Sequence, residues 1–122
     1  MAKTLTLHLK RVWFEMIRNG VKLEEYREIK PHYIRQWIKF KPLKNDLIKD
    51  YKQGFDEGEI NGMENDLLLL EYSKLVFTLG YPKAGDSSRR LEFKKPKIHI
   101  GKGRPEWGAE PEKKYFIITW EK

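Results

Sequence analysis

The chain predicts an α+β fold whose strands form a mixed, partly closed barrel, and three observations carry that expectation. Two short helix-compatible runs lie within the first 40 residues. The later apolar stretches mostly alternate with period two. No repeat or linker interrupts the 122 residues, a length that buries one core without staples. Helices gathered early and strands gathered late indicate α+β rather than alternating α/β. A single domain over 1–122 is expected, with a polar insertion at about 44–65.

Taken in order, Thr4 to Leu9 alternates Thr4, Thr6 and His8 with Leu5, Leu7 and Leu9, the pattern of a half-buried strand. Arg11 to Arg18 sets Trp13, Met16 and Ile17 on one helical face, and Gly20 supplies the stop. Leu23 to Ile29 reads as the second strand. Pro31 opens a short helix over His32 to Lys39, with Tyr33, Trp37 and Ile34 turned inward. Lys44 to Gly62 is polar and carries Gly54, Gly58 and Gly62; beyond a helical turn or two around Leu47, Ile48 and Tyr51 it reads as a long excursion.

Strand pattern resumes over Leu67 to Glu71 and Leu75 to Leu79, the latter ended by Gly80-Tyr81-Pro82. Leu91 to Ile100 alternates across Pro96, which cannot donate to a ladder and so suggests an edge. A glycine-rich loop, Gly101 to Pro111, leads to a closing strand over Lys114 to Trp120.

The chain has no cysteine, which excludes disulfides and thiolate metal sites. His8, His32 and His99 are scattered without ligand spacing, so neither a metal nor a cofactor is expected. The longest run of leucines, Leu67 to Leu70, falls far short of a membrane span, and a cytoplasmic protein is the default. The net charge of +7 is uneven. Residues 1–44 carry 11 Lys/Arg against 4 Asp/Glu, residues 45–88 carry 4 against 9, and residues 89–122 carry 10 against 5. Two basic ends would attract phosphate, or would be solvated charge with no partner.

The densest charge constellation is Gly20-Val21-Lys22-Leu23-Glu24-Glu25-Tyr26-Arg27. On an extended strand Leu23, Glu25, Arg27 and Ile29 share one face, while Glu24, Tyr26 and Glu28 share the other. Lys22 has the wrong parity, so it joins Glu25 and Arg27 only where the chain turns at Gly20. Cations in a cleft could hold a phosphate or polarise a carbonyl, and the carboxylate could accept a proton or a base N–H. The other reading is an exposed ion-pair strip of little energetic value.

This segment fits Gly-x-Lys-x-x-Glu-x-Arg, and in its position it resembles the ASCH (activating signal cointegrator homology) family, which is similar in fold to PUA domains. The resemblance runs from Leu5/Leu7/Leu9 and Trp13-Phe14-x-x-Ile17-x-x-Gly20 through Lys22, Glu25, Arg27, Tyr33 and Trp37. It resumes at Val76-Phe77-Thr78-Leu79-Gly80-Tyr81, Ile100-Gly101-x-Gly103-x-x-Glu106-Trp107-Gly108-Ala109 and Tyr115-Phe116-Ile117-Ile118, leaving 44–65 outside. It implies a PUA-like mixed β-barrel with short N-terminal helices, and binding of RNA, a nucleotide or a modified nucleoside in a cleft lined by Lys22, Glu25 and Arg27. Tyr81 and Trp107 are the aromatics placed to line such a cleft.

One branch of the family is similar but enzymatic, removing an acyl group from an acylated cytidine. Its catalytic set is the motif lysine, a threonine three residues on and a glutamate from a later strand. Here Lys22 holds the lysine position and Glu25 the threonine position, and a carboxylate does not replace a lysine-activated hydroxyl. Another branch is associated with RNA cleavage. An amidohydrolase or ribonuclease using Lys22 and Glu25 therefore stands as the alternative to a binding module. A protein-interaction module using the acidic stretch 45–66 is a third.

Overall fold

The computed structural model describes residues 3–39, 41–50 and 71–122. Over these the chain runs β1 (Thr4–Leu9), α1 (Arg11–Arg18), β2 (Glu25–Glu28), α2 (Pro31–Trp37), α3 (Lys41–Asp50), β3 (Lys74–Leu79), β4 (Arg90–Lys102) and β5 (Lys114–Glu121). Single 3-10 turns lie at Ser87–Arg89 and Pro105–Trp107. The fold is α+β on one mixed sheet of order β1-β3-β4-β5-β2. Among the described residues that order is open, with β1 and β2 at its ends. None of the described helices is long and apolar enough to cross a membrane.

Contacts divide the chain into two compact units. One holds Met1–Glu25, Glu71–Lys97 and Thr119–Lys122, and the other holds Tyr26–Leu70 and Ile98–Ile118.

In the first unit β1 lies parallel to β3, with Thr4 opposite Lys74 and Leu9 opposite Leu79. A parallel pair needs a long crossover, and the connection from β1 to β3 carries α1, α2 and α3 among the described residues. The alternation read in β1 is realised: Leu5, Leu7 and Leu9 are buried and Thr4, Thr6 and His8 exposed. β3 is flanked on both edges, pairing antiparallel with β4 from Lys74↔Lys94 to Thr78↔Arg90. Its residues Leu75 to Thr78 are all buried, as a strand covered on both faces requires. Phe77, Phe93 and Trp120 fill one side with ring centroids 5.0 to 6.0 Å apart.

α1 occupies the predicted span, but its buried residues are Phe14 and Ile17, with Trp13 and Met16 only half-buried. The ladder between β3 and β4 stops at Lys94. Lys95 then takes a left-handed conformation (φ 48°) and donates its N–H to the Ser73 carbonyl at 3.3 Å. β4 is not the edge strand that Pro96 suggested but lies between β3 and β5, and the kink lets Pro96, which has no N–H, sit inside its 13 residues.

In the second unit Pro31 opens α2, which buries Ile34 and Trp37. Trp37 stacks on Tyr33 at 4.7 Å and meets Phe116 edge-on at 5.2 Å. The helix ends before the expected Lys39 because Ile38 is already extended (ψ 122°). The start of the supposed excursion is helical: α3 runs through Asp50 and buries Leu47. The remainder of 44–65, and the strand expected over Leu67 to Glu71 apart from Glu71 itself, lie outside the described residues.

Gly103 marks a close approach in this unit. A Cβ there would meet Ala109 Cβ and Tyr26 Cζ, both at 2.7 Å, so only glycine fits without displacement. Beside it the Tyr26 hydroxyl accepts from the Arg104 N–H at 3.0 Å, and the Tyr115 hydroxyl from the Glu110 N–H at 3.0 Å.

Candidate functional site

The end of α1 sets the geometry. Asn19 caps the helix, and Gly20 enters the left-handed region with φ 75°. The chain reverses, and the Val21 and Lys22 N–H groups both donate to the Met16 carbonyl, at 2.9 and 3.1 Å. This reversal turns Lys22 inward while its neighbours Val21 and Leu23 remain exposed at 56% and 55%. Residues 22–24 are therefore irregular, and the strand begins at Glu25 rather than at the expected Leu23. The strand-face assignment fails in part for the same reason. Leu23 is outside the ladder and exposed, whereas Glu25 and Tyr26, predicted on opposite faces, are both buried.

The predicted turn around Lys22 is present. Lys22 Nζ donates to Glu25 Oε1 at 2.8 Å, with the two side chains 0% and 5% exposed. The ammonium also stands 4.3 Å from the centroid of the Trp13 ring, where the negative π face attracts it. Trp13 is thus held at the surface of the core by the charge it covers. Two opposite charges this deeply buried gain strongly from each other, yet their mutual attraction scarcely offsets the loss of water. Stability alone does not call for such a pair.

A second polar cluster of the first unit lies where β1 and β3 run in register. His8 pairs with Thr78, both near the strand ends. The Thr78 hydroxyl donates to the Gly80 carbonyl at 2.7 Å. His8 Nδ1 is 2.6 Å from that hydroxyl and 3.0 Å from the same carbonyl. A carbonyl only accepts, so the contact with Gly80 is a hydrogen bond when Nδ1 carries the proton. Tyr81, 86% exposed, lays its ring 4.2 Å from the imidazole. Sequence reading singled out Tyr81 but not His8 or Thr78, because the parallel register that joins positions 70 residues apart leaves no local signal.

Arg27 and Trp107 belong to the second unit. Arg27 is half-buried, and its Nη1 donates to the Tyr26 carbonyl at 2.8 Å. Trp107 is only 8% exposed, on the 3-10 turn closed by Gly108 (φ 101°), with the Arg104 guanidinium 4.8 Å from its ring centroid. Of the two aromatics named from sequence, Tyr81 presents a ring to solvent and Trp107 does not.

Chemically, the Lys22–Glu25 pair offers a cationic donor beside an anionic acceptor within one hydrogen bond. That arrangement can receive a ligand edge with adjacent acceptor and donor atoms, or pass a proton between a lysine and a carboxylate. Among the described residues no group of three or more His, Asp or Glu could hold a metal ion. The chain matches no family model, no curated protein and no solved structure in comparisons with each.

Proposed function

We propose that this is an ASCH-like domain that binds RNA or a nucleotide-sized ligand, including modified nucleosides, through the Lys22–Glu25 pair. The single observation that carries the reading is the buried contact of 2.8 Å between them, delivered by the Gly20 turn. A buried ion pair is weak evidence for stability, and apolar residues of similar volume serve a core as well or better. Recognition of a base explains it. The Watson–Crick edges of cytosine and adenine present a ring-nitrogen acceptor next to an exocyclic amine, complementary to ammonium beside carboxylate. Such a ligand would exchange with the internal contact rather than meet an open cation. In this reading Tyr81, exposed in the same unit as Lys22 and Glu25, supplies aromatic surface, while Arg27 and the buried Trp107 belong to the second unit and carry no part of the proposal. The PUA-like barrel belongs to the same proposal, supported by a mixed sheet, short early helices and the parallel β1–β3 pair.

A hydrolase is the second reading, favoured by the same direct contact, since it couples a proton acceptor to an electrophilic cation. Glu25 would be general base toward water and Lys22 would polarise the acyl carbonyl of an acylated cytidine, or act in RNA cleavage. A nucleoside and RNA-fragment binding screen, run beside a turnover assay on acylated cytidine, separates them. Binding without turnover supports the module; turnover lost in both Glu25→Gln and the charge-free Lys22→Met/Glu25→Leu supports the hydrolase.

A further inference from the structure

We propose a separate phosphate-binding groove in the first unit, formed by Arg11, Arg18, Arg89 and Arg90, for a phosphorylated ligand of nucleotide size. An open cavity of ≈ 600 Å³ is lined by these four arginines together with Ser87 and Ser88. Glu15 is the one carboxylate among its lining residues. Cavities of a few hundred Å³ suit small ligands, and clustered guanidinium groups are the side chains best shaped for phosphate oxygens.

The groove is built rather than incidental. Arg11 and Arg18 are seven residues apart on α1, so they project within about 20° of each other. Arg18 Nη2 donates to the Ser88 carbonyl at 2.7 Å, which ties α1 to the turn, and its Nη1 pairs with Glu15 at 3.3 Å. Arg90 donates through Nη1 to the carbonyls of Lys83 and Asp86, at 3.1 and 2.7 Å. Neutral carbonyls fix a guanidinium without cancelling its charge, and the bonds of Arg90 use one nitrogen of its five-donor fork. Arg89 leans on the Asp86 carboxylate at 3.6 Å, and Arg11 has no ion-pair partner among the described residues. Four cations thus converge on a cavity against Glu15 within it and Asp86 at its margin.

The groove is distinct from the Lys22–Glu25 pair. Trp13, which covers Lys22, lies two residues after Arg11 and so about 160° round the helix from it. A single nucleotide cannot place its base on one face of α1 and its phosphate on the other. The two proposals stand or fall independently.

The test is titration of the ¹⁵N-labelled protein, and of R11Q/R89Q, with adenosine, 5′-AMP and the dinucleotide ApA at low salt. Arg11 and Arg89 are exposed and make no backbone bond of their side chains, so the double variant keeps its fold. We expect AMP or ApA, but not adenosine, to shift the amides of Ser87 to Leu91, and R11Q/R89Q to weaken this at least tenfold. E15Q should tighten it several-fold by removing the opposing charge. A response to AMP alone assigns a terminal phosphate, and a response to ApA alone an internal phosphodiester. The same shifts persist in Lys22→Met/Glu25→Leu if the sites are separate. Silence of residues 87–91 toward both phosphates, an equal response to adenosine, or an unchanged affinity in R11Q/R89Q overturns the groove.

Discussion

Side-chain chemistry around Asp86 gives the clearest pH response at the scale of single residues. The Ser88 hydroxyl and N–H both donate to its carboxylate, and Arg89 and Arg90 stand near, so its pKa lies below the ordinary aspartate value. The sign follows from linkage. A depressed carboxylate contributes stability that is present above the unfolded pKa and lost as pH falls through the folded one. Carboxyl carbon shifts should therefore show Asp86 titrating below ordinary aspartates, with the Ser88 amide losing its bond in the same acid window. Ser88→Ala should return Asp86 upward; titration at the ordinary value in the unaltered protein would contradict the cap. The charge constellation at 20–27 was legible in sequence because its members are adjacent. The His8–Thr78–Gly80 cluster was not, since it exists only through the register of two distant strands.

At the scale of elements, turns decide where the polar groups go. Gly20 and Gly103 are both required, for different reasons, and their alanine variants should fail differently. Nothing lies within 4 Å of a Cβ at Gly20, so Gly20→Ala carries only the left-handed backbone penalty of about 1–2 kcal/mol. Gly20→Asn, which tolerates that conformation, should recover much of it. Gly103→Ala has ordinary backbone but pushes Tyr26 and Ala109 apart, a cost of about 1–3 kcal/mol, and should release the Tyr26–Arg104 hydrogen bond. Denaturant unfolding of the three variants checks the ranking, and rescue of Gly103→Ala by no backbone-tolerant residue sets it apart. The strands β1, β3 and β5 and the helix α1 were readable because apolar periodicity fixed them. The onset of β2 was not, because charged residues at 22–25 satisfy strand parity on paper, while Gly20 reverses the chain before the ladder begins. The left-handed Lys95 likewise has no sequence signal beyond the adjacent Pro96.

For the whole molecule, charge is the property that reaches beyond any single contact. The chain carries +7 overall, with the excess at its two ends. RNA binding through several phosphates should weaken with salt at a slope of about −0.7 per phosphate for single strands. Removing Arg11 and Arg89 together should flatten that slope by about one to two units, whereas Lys22 variants should leave it nearly unchanged. An affinity independent of salt would exclude the phosphate backbone as a contact. α+β class and strand content followed from composition and periodicity. The division into two units did not, since β4 and β5 pass through both as unbroken sequence runs.

The most direct measurement is the affinity of Lys22→Met/Glu25→Leu for a panel of nucleosides and short single-stranded RNAs, with its stability followed by denaturant unfolding. Lys22→Ala alone takes the ammonium away from a buried carboxylate and should cost about 3–5 kcal/mol, which confounds loss of binding with loss of fold. Replacing both charges with apolar side chains removes that difficulty. If the pair exists for recognition, the double variant remains at least as stable as the parent and loses nucleoside affinity tenfold or more. A stable double variant that binds the same nucleosides undiminished would contradict a recognition role for Lys22 and Glu25.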